Sequence, residues 1–360
     1  MIFQPPTFAP LGSKCYNYAM NPYENVFISS LTTMRIGGIA KHVLEIEDEK
    51  DIAEAYKFAN TYWYPTYVLS GGANTIGHDE GYDGVILLNR LRGFTDQNGI
   101  FTIKAGENWD DIVAYACDNG YTGIEALSKI PGLVGAAPVQ NIGAYGQDIS
   151  EVFKSATAYD TATHRIVILD KKDFQFSYRK SILNTKFRGR FFITSVTLEL
   201  QKGQMQRPFY NSMERYIEDF GCTDFSPTGI REIVTSIRKD KLPDPKEKAS
   251  SGSFFKNIYL TPAEKDQAEA KGYPVYKGHD GLKINSAWLI EQCGFKGQLL
   301  YGMRVNAKAP LVLINESANS YANLARARAK IASAVYDKFG YWLEQEPNEI
   351  INTKDKGAPK

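Results

Sequence analysis

The chain has 360 residues, 43% of them apolar and 23% charged, with a formal net charge of +1 at neutral pH. That length exceeds one small core, so two or three domains are expected. Acids and bases are intermixed, which excludes a nucleic-acid binder that needs a dominant basic face. No stretch approaches the roughly 20 apolar residues of a membrane helix. Cys15, Cys117, Cys222 and Cys293 are scattered without a Cys-x-x-Cys pair, so neither a disulfide scaffold nor a metal site is expected, and a reducing compartment fits. The start, Met1 to Pro6, lacks a basic region followed by an apolar run. No signal peptide is expected, and the cytoplasm is the expected location.

The first third alternates strands and helices. Val43–Ile46 reads as a strand and Asp48 to Ala59 as a helix, with Ile52, Ala55, Tyr56 and Ala59 on one side. Tyr67-Val68-Leu69 is a second strand running into Ser70-Gly71-Gly72-Ala73-Asn74-Thr75, and Val85–Leu88 is a third. A second unit begins near Gly99 with a strand over Phe101–Ala105. Asn108 then caps a helix that runs through Asn119 and stops at Gly120. Strands return over Lys154–Tyr159, Arg165–Leu169 and Phe191–Leu200, with a turn at Asp160–Thr163.

Residues 202–227 are polar and aromatic without clear period and read as a loop or lid. A helix follows from Thr228, and Lys241-Leu242-Pro243-Asp244-Pro245 ends it and marks a domain boundary. Beyond it, Thr261-Pro262-Ala263-Glu264 is a capping box, Ser286–Cys293 a short helix, and Ser320 to Phe339 a long one stopped by Gly340. Its Tyr321, Leu324, Ile331, Val335 and Phe339 make a core stripe. The tail, Lys354 to Lys360, is expected to fray.

Four segments carry candidate chemistry, each with a plainer alternative. Gly71-Gly72-Ala73-Asn74 follows a strand, where absent side chains let backbone N–H groups form a nest for phosphate oxygens or simply a tight turn. Neither the Gly-x-Gly-x-x-Gly fingerprint nor the Walker sequence is present. Ile130 to Gly146 contains no charge, only small, apolar and amide side chains. It is too glycine-rich for a strand and too apolar for an exposed loop, and it suits the face of a planar cofactor or a packed interdomain loop. Phe176-Ser177-Tyr178-Arg179 sets a guanidinium suited to a carboxylate beside two aromatics, or ends a surface strand. Ser251-Gly252-Ser253-Phe254-Phe255-Lys256-Asn257 offers a proton donor, two aromatic walls and a Lys-Asn pair for an anion, or a Gly-Ser turn entering an ordinary strand.

Taken together these motifs resemble the UDP-N-acetylenolpyruvoylglucosamine reductases, FAD-dependent enzymes of bacterial cell-wall precursor synthesis. Thr33 to Gly38 resembles the family's opening motif, Leu69 to Thr75 its pyrophosphate turn, and Ile130 to Gly146 its flavin segment. Tyr178-Arg179, Lys241 to Pro245, Gly252 to Asn257 and Trp288 to Gly297 continue the series in family order. The resemblance implies an α+β chain: a two-subdomain FAD-binding fold of the vanillyl-alcohol-oxidase type over 1–95 and 96–227, then a C-terminal α+β substrate-binding domain over 228–340. The segment 340–360 is expected to pack back on the first subdomain.

The implied reaction uses NADPH and non-covalent FAD to reduce the enolpyruvyl ether of UDP-N-acetylglucosamine to UDP-N-acetylmuramate, in a monomer. Hydride delivered to the terminal CH2 pushes electron density onto the carbon bearing the carboxylate. By resemblance Arg179 and a protonated Glu346 stabilise that carboxylate, and Ser253 delivers the proton. The implied cofactor contacts are Arg35, Gly71, Gly72, Ala73, Asn74, Thr75, Ile130, Pro131, Gly135, Ala136, Asn141, Gly143, Ala144, Tyr145, Ile193 and Arg238. The implied substrate contacts are Tyr178, Tyr210, Lys241, Asn257 and Lys296.

Three positions depart from the family pattern. Gln345 replaces the proline of Leu-Glu-Pro-Glu, which leaves Glu344 competing with Glu346. Lys180 follows Arg179 where an acid is common, and Asn348 stands where an arginine often helps hold the flavin. Two other readings stay open: an FAD oxidase of the same fold acting on an alcohol or sugar, and a non-catalytic flavin or nucleotide-sugar module. Neither His42, His78, His164, His279 nor Cys117 sits in a setting suited to covalent flavin attachment.

Overall fold

The structure is a computed structural model that describes residues 20–278 and 280–352. The Met1 to Pro6 start, Cys15, His279 and the Lys354 to Lys360 tail lie outside the described residues. Three sheet systems follow one another along the chain.

In the first, β1 (Tyr23–Phe27), β2 (Ile39–Ile46), β3 (Thr66–Leu69) and β5 (Tyr82–Asn89) stand in the order β1-β2-β5-β3, while β4 (Thr75–Gly77) pairs elsewhere. β2 and β3 run parallel to β5, which needs a crossover, and α1 (Glu49–Thr61) supplies it. Asp48 caps α1 by accepting from Lys50 N–H at 3.0 Å while Asp51 accepts from Asp48 N–H. The predicted face of Ile52, Ala55, Tyr56 and Ala59 is buried against Leu44, Ile46, Val85 and Leu87.

The second system is a five-stranded antiparallel sheet. β6 (Phe94–Gln97), β7 (Ile100–Lys104), β8 (Phe153–Asp160), β9 (Arg165–Asp170) and β10 (Phe191–Glu199) take the order β9-β8-β10-β7-β6. The helix α2 (Trp109–Asp118) begins where Asn108 accepts from Asp111 N–H and ends just before Gly120, whose φ is +69°. The 202–227 region corrects the loop reading: α3 (Asn211–Phe220) occupies it, burying Met213 and Ile217 one turn apart. Met213, Tyr216, Ile217 and Phe220 fall at i, i+3, i+4 and i+7, so the helical period is present in the sequence, with Met213 and Ile217 as its buried members. α4 (Pro227–Lys241) starts one residue before the predicted Thr228 and packs Ile230, Ile233, Val234 and Ile237 onto α3 and Ala126. It thereby adheres to the second sheet system, to which Arg231 also ties it through Asp110 of α2 at 2.6 Å.

Beyond the prolines, β11 (Ala249–Ser253), β15 (Leu299–Leu300), β16 (Met303–Val305) and β17 (Val312–Asn315) stand in the order β11-β17-β16-β15. A smaller sheet of β12 (Ile258–Tyr259), β13 (Tyr276–Gly278) and β14 (Gly281–Ile284) lies beside α5 (Pro262–Ala270) and α6 (Ser286–Gln292). The long α7 (Tyr321–Phe339) is capped by Ser320 and stopped by Gly340, and it buries Leu324, Ile331, Val335 and Phe339. The chain then returns: β18 (Asn348–Ile350) pairs in parallel with β4. No helix among the described residues is long and apolar enough to cross a membrane.

Candidate active site

A cavity of about 320 Å³ lies between the turn after β3 and the uncharged segment, within the ~300–1,000 Å³ typical of ligand sites. Gly71, Gly72, Ala73, Asn74 and Thr75 line one side, and Ile130, Pro131, Gly135 and Ala136 the other, with Ile193 of β10 behind them. Two strand ends aim these segments at each other. Leu69 runs directly into the Gly-Gly turn, while Gly132 O accepts from Trp109 N–H and Val134 N–H donates to Glu107 O, which pins the uncharged segment to the start of α2.

The glycines are required by contact as well as by conformation. A Cβ on Gly72, whose φ is +64°, would sit 2.1 Å from Leu31 O, and one on Gly71 would sit 3.0 Å from Gly132 Cα. Asn74 donates to Gln140 across the cavity. The Ser70 hydroxyl lines it and finds no hydrogen-bond partner among the described residues. A pyrophosphate needs such a set: a strand-end nest with its side chains removed, a free hydroxyl, and the Arg188 cation on the wall. The residues present fit FAD.

The uncharged segment does two things. Its first part, Ile130 to Ile142, walls the cavity; its second turns away as a hairpin of Gly143–Ala144 on Gln147–Asp148. Asn141, Gly143, Ala144 and Tyr145 therefore stand outside the cavity. Asn141 donates to Ser177 O and accepts from Ser150 N–H, so its amide is committed to holding the hairpin. Tyr145 faces Tyr210 at 6.0 Å between ring centroids, and Arg238 donates to Lys129 O. Arg35 also lies elsewhere, donating to the carbonyls of Pro245 and Lys246 and lining a separate open cleft with Asp79 and Glu316.

The hairpin leads to a second cluster. Ser177 and Lys180 exchange backbone hydrogen bonds at 3.0 and 3.1 Å, which makes a tight turn with Tyr178 and Arg179 at its tip. Arg179 takes φ +55°, a conformation uncommon for a long side chain and enriched at functional sites. Its guanidinium donates to Asn141 O at 3.2 Å and to Gly143 O, and it lies 3.8 Å from Asp148. Its Nε stands 3.3 Å from Glu346 Oε1, with the side chains 17% and 13% exposed. Burial pushes the Glu346 carboxyl above its ordinary range despite the opposing pull of Arg179 and Lys256. Burial alone would lower Arg179, but Glu346, Tyr178 and Asp148 outweigh it and hold the guanidinium firmly charged.

Ser253 ends β11. A register shift between Ser250 and Ser253, with Gly252 at φ +68°, breaks the ladder and re-aims the strand end. The carbonyl of the next residue, Phe254, accepts from Glu346 N–H at 2.9 Å. Asn257 N–H donates to the Tyr178 hydroxyl at 3.3 Å, so both predicted contacts stand together here. Phe254 and Phe255, expected as pocket walls, are instead fully buried in the C-terminal core with Met34, Leu289 and Val335. Glu344 is 65% exposed and paired with Lys256, which separates it from the buried Glu346.

Two predicted contacts are not brought here. Lys296 pairs with Glu291 at 2.7 Å on an exposed surface, and Lys241 is exposed at the end of α4 with its carbonyl accepting from Asn306. Sequence reasoning missed Lys283 of β14, which is 8% exposed and lies over the Tyr210 ring at 5.8 Å. Burial and then Arg179 push its ammonium below the ordinary value. Leu282 and Ile284 alternate with it, a pattern that assigns Lys283 to solvent. It also missed Arg188 and Glu349 on the cavity wall.

Comparison with known proteins decides the family. Residues 40–169 match an FAD binding domain, and residues 244–350 match the C-terminal domain of UDP-N-acetylenolpyruvoylglucosamine reductase. The reductase of that name from Burkholderia multivorans is 36% identical over 331 residues, 89% of this chain and 94% of the relative. The one from Escherichia coli K12 is 33% identical over 338 residues, covering 92% and 95%. The chain belongs to the UDP-N-acetylenolpyruvoylglucosamine reductase family. The crystal structure of the reductase from Thermus caldophilus superposes with a TM-score of 0.64 at 21% identity, over 92% of this chain and 99% of that one. The expected fold class stands: an FAD-binding portion followed by the family's C-terminal α+β portion, in an FAD-dependent oxidoreductase.

Proposed function

We propose that this protein reduces the enolpyruvyl ether of UDP-N-acetylglucosamine to UDP-N-acetylmuramate at the Arg179–Glu346 pair, for peptidoglycan precursor synthesis in the cytoplasm. The observation that carries the reading is that buried pair, with Glu346 N–H bonded to the carbonyl of Phe254 next to Ser253, in a chain of this family. Bound FAD, reduced by NADPH, supplies the hydride. The chain supplies the charge and proton handling.

Arg179 is positioned for the substrate carboxylate: four partners fix its guanidinium, and a planar fork suits a carboxylate. A second carboxylate beside Glu346 is favoured when Glu346 carries a proton, and burial shifts Glu346 in that direction. Ser253 Oγ donates the proton to the carbon next to the carboxylate, a centre basic enough to take it from a hydroxyl. General acid catalysis of this kind is worth about 10²–10⁴-fold. Lys283, Asn257, Tyr178 and Tyr210 supply cations and donors suited to the nucleotide sugar. The second sheet system with α4 packed on it and the region after Pro245 would act as separate units, which moves the expected boundary from 228 to the Lys241–Pro245 segment, with a monomer as the working form.

The test is turnover. FAD-loaded protein should oxidise NADPH beyond one equivalent per flavin, under anaerobic conditions, only when the enolpyruvyl sugar is present, with UDP-N-acetylmuramate detected by mass spectrometry. Oxygen consumption on simple alcohols without NADPH, and no sugar product, would favour the oxidase reading.

A further inference from the structure

Glu346 sits in a segment anchored at both ends by backbone. Before it, Gln345 bridges Phe255 in antiparallel register, Lys256 N–H donates to Glu344 O at 2.9 Å, and Glu346 N–H donates to Phe254 O. After it, Asn348 N–H donates to Asn74 O at 2.9 Å and β18 joins β4. Between these anchors the chain makes its turn at Glu346–Pro347, and side chains fix it. Gln345 Oε1 accepts from Arg328 Nη1 at 2.6 Å, and its Nε2 donates to Pro347 O at 2.8 Å and to Glu349 Oε1 at 3.1 Å. Arg328 Nη1 also donates to Glu349 at 2.8 Å, and so does the Tyr321 hydroxyl. His78 completes the set at 3.1 Å from Glu349 Oε2, with its ring stacked on Tyr321 at 3.7 Å.

We propose that Gln345 is the positioning residue for Glu346: its amide, gripped by Arg328, Glu349 and the Pro347 carbonyl, sets the path of the chain that aims the Glu346 carboxyl at Arg179. This rests on the role proposed above for Glu346. An amide suits this position because it combines an acceptor for Arg328 with donors for two oxygens, which neither a carboxylate nor an ammonium can do. Glu349 lines the cofactor cavity, so the same network ties Glu346 to the cavity wall. The backbone offers a second way to stiffen this turn. Gln345 and Phe255 face each other where the flanking residues make the ladder bonds, so the Gln345 N–H is not used in the ladder and a proline ring fits there.

The experiment compares FAD-loaded Gln345→Ala, Gln345→Pro, Glu346→Gln and the double variant Gln345→Ala/Glu346→Gln. Flavin reduction by NADPH and flavin reoxidation by the enolpyruvyl sugar are followed separately. Gln345→Ala should slow reoxidation about 10- to 100-fold, the scale of a small misplacement, while leaving reduction unchanged. Gln345→Pro should recover most of the loss. In the Glu346→Gln background, Gln345→Ala should cost less than about threefold more, because both act through one group. Arg328→Lys, which keeps a charge for Glu349, should slow reoxidation in the same selective way and serves if Gln345→Ala loses FAD. Equal slowing of both half-reactions, or effects that multiply in the double variant, would overturn the positioning role. If Glu346→Gln alone reoxidises at the normal rate, the role of Glu346 itself falls; if it is slow and Gln345→Ala is not, only this proposal does.

Discussion

Arg179 Nε stands 3.3 Å from Glu346 Oε1, and the two residues come from different structural units: a turn on the second sheet system and a strand-like segment returning from α7. The pairing holds a permanent cation beside a carboxyl whose value burial raises against the pull of Arg179 and Lys256. An incoming carboxylate finds a planar cation and a carboxyl whose protonated form burial favours.

Arg179→Lys should separate geometry from charge. A lysine keeps the cation but loses the planar fork that reaches Asn141 O, Gly143 O and Glu346 together. We expect kcat to fall about 10²–10³-fold, the cost of losing one preorganised charge stabiliser, with a smaller change in KM. Steady-state kinetics with saturating NADPH measure it.

The pH dependence of reoxidation should carry the signature of Glu346. Its value is raised by burial, so the protonated form is present at low pH and is lost as pH rises through that raised value. The rate should therefore have a basic limb, falling about tenfold per pH unit. In Glu346→Gln that limb should vanish and the lower rate should be flat. Rapid mixing from pH 5 to 9 gives both profiles.

Gly72→Ala should damage cofactor binding. The new Cβ meets Leu31 O at 2.1 Å and the residue must hold φ +64°, so the turn has to shift. Strain of this kind costs about 1–3 kcal/mol. Flavin content after gel filtration should drop, and the thermal midpoint with it. Gly146→Ala is a control with open space around it, although its φ of +91° carries conformational strain of its own.

Asp110 should govern acid stability. It accepts from Arg231 at 2.6 Å and from Lys129 at 2.7 Å, and these donors, against the opposing effect of burial, hold its carboxyl well below the ordinary 3.8. A depressed value stabilises the fold above the unfolded value and is lost as pH falls toward the folded one. Unfolding free energy should decline below about pH 4. Asp110→Asn should flatten that decline and cost about 3 kcal/mol at neutral pH, because Arg231 is left partly buried without its anion. Urea melts at pH 3 to 7 would show it.

The legible parts of this fold were those in which one local cause decides. Asn108 and Thr261 cap helices by short-range bonds, Gly120 and Gly340 stop them by left-handed turns, and the buried face of α1 follows from a period of 3.6, although Asp48, expected within that helix, is its cap. The cofactor cavity was legible only through the company of its parts: the Gly71-Gly72 turn and the chargeless Ile130 to Gly146 segment each had a plainer alternative, and of that segment the structure sets residues from Ile130 to Gln140, and Ile142, on the cavity. What stayed hidden depends on tertiary contact. Phe254 and Phe255 serve the core although polar residues surround them in sequence, and Lys283 sits on what alternation marks as a wet face, whereas the period of α3 at Met213, Tyr216, Ile217 and Phe220 is present in the sequence. Glu344 and Glu346 could not be told apart until the chain showed which one is buried.

The sharpest test is the half-reaction pair in Ser253→Ala. Without oxygen, NADPH should bleach the FAD-loaded variant at nearly the wild-type rate, while return of the flavin colour on adding the enolpyruvyl sugar should slow by about 10²–10⁴-fold. A variant whose colour returns at the wild-type rate, or whose two half-reactions slow together, would contradict proton delivery from Ser253.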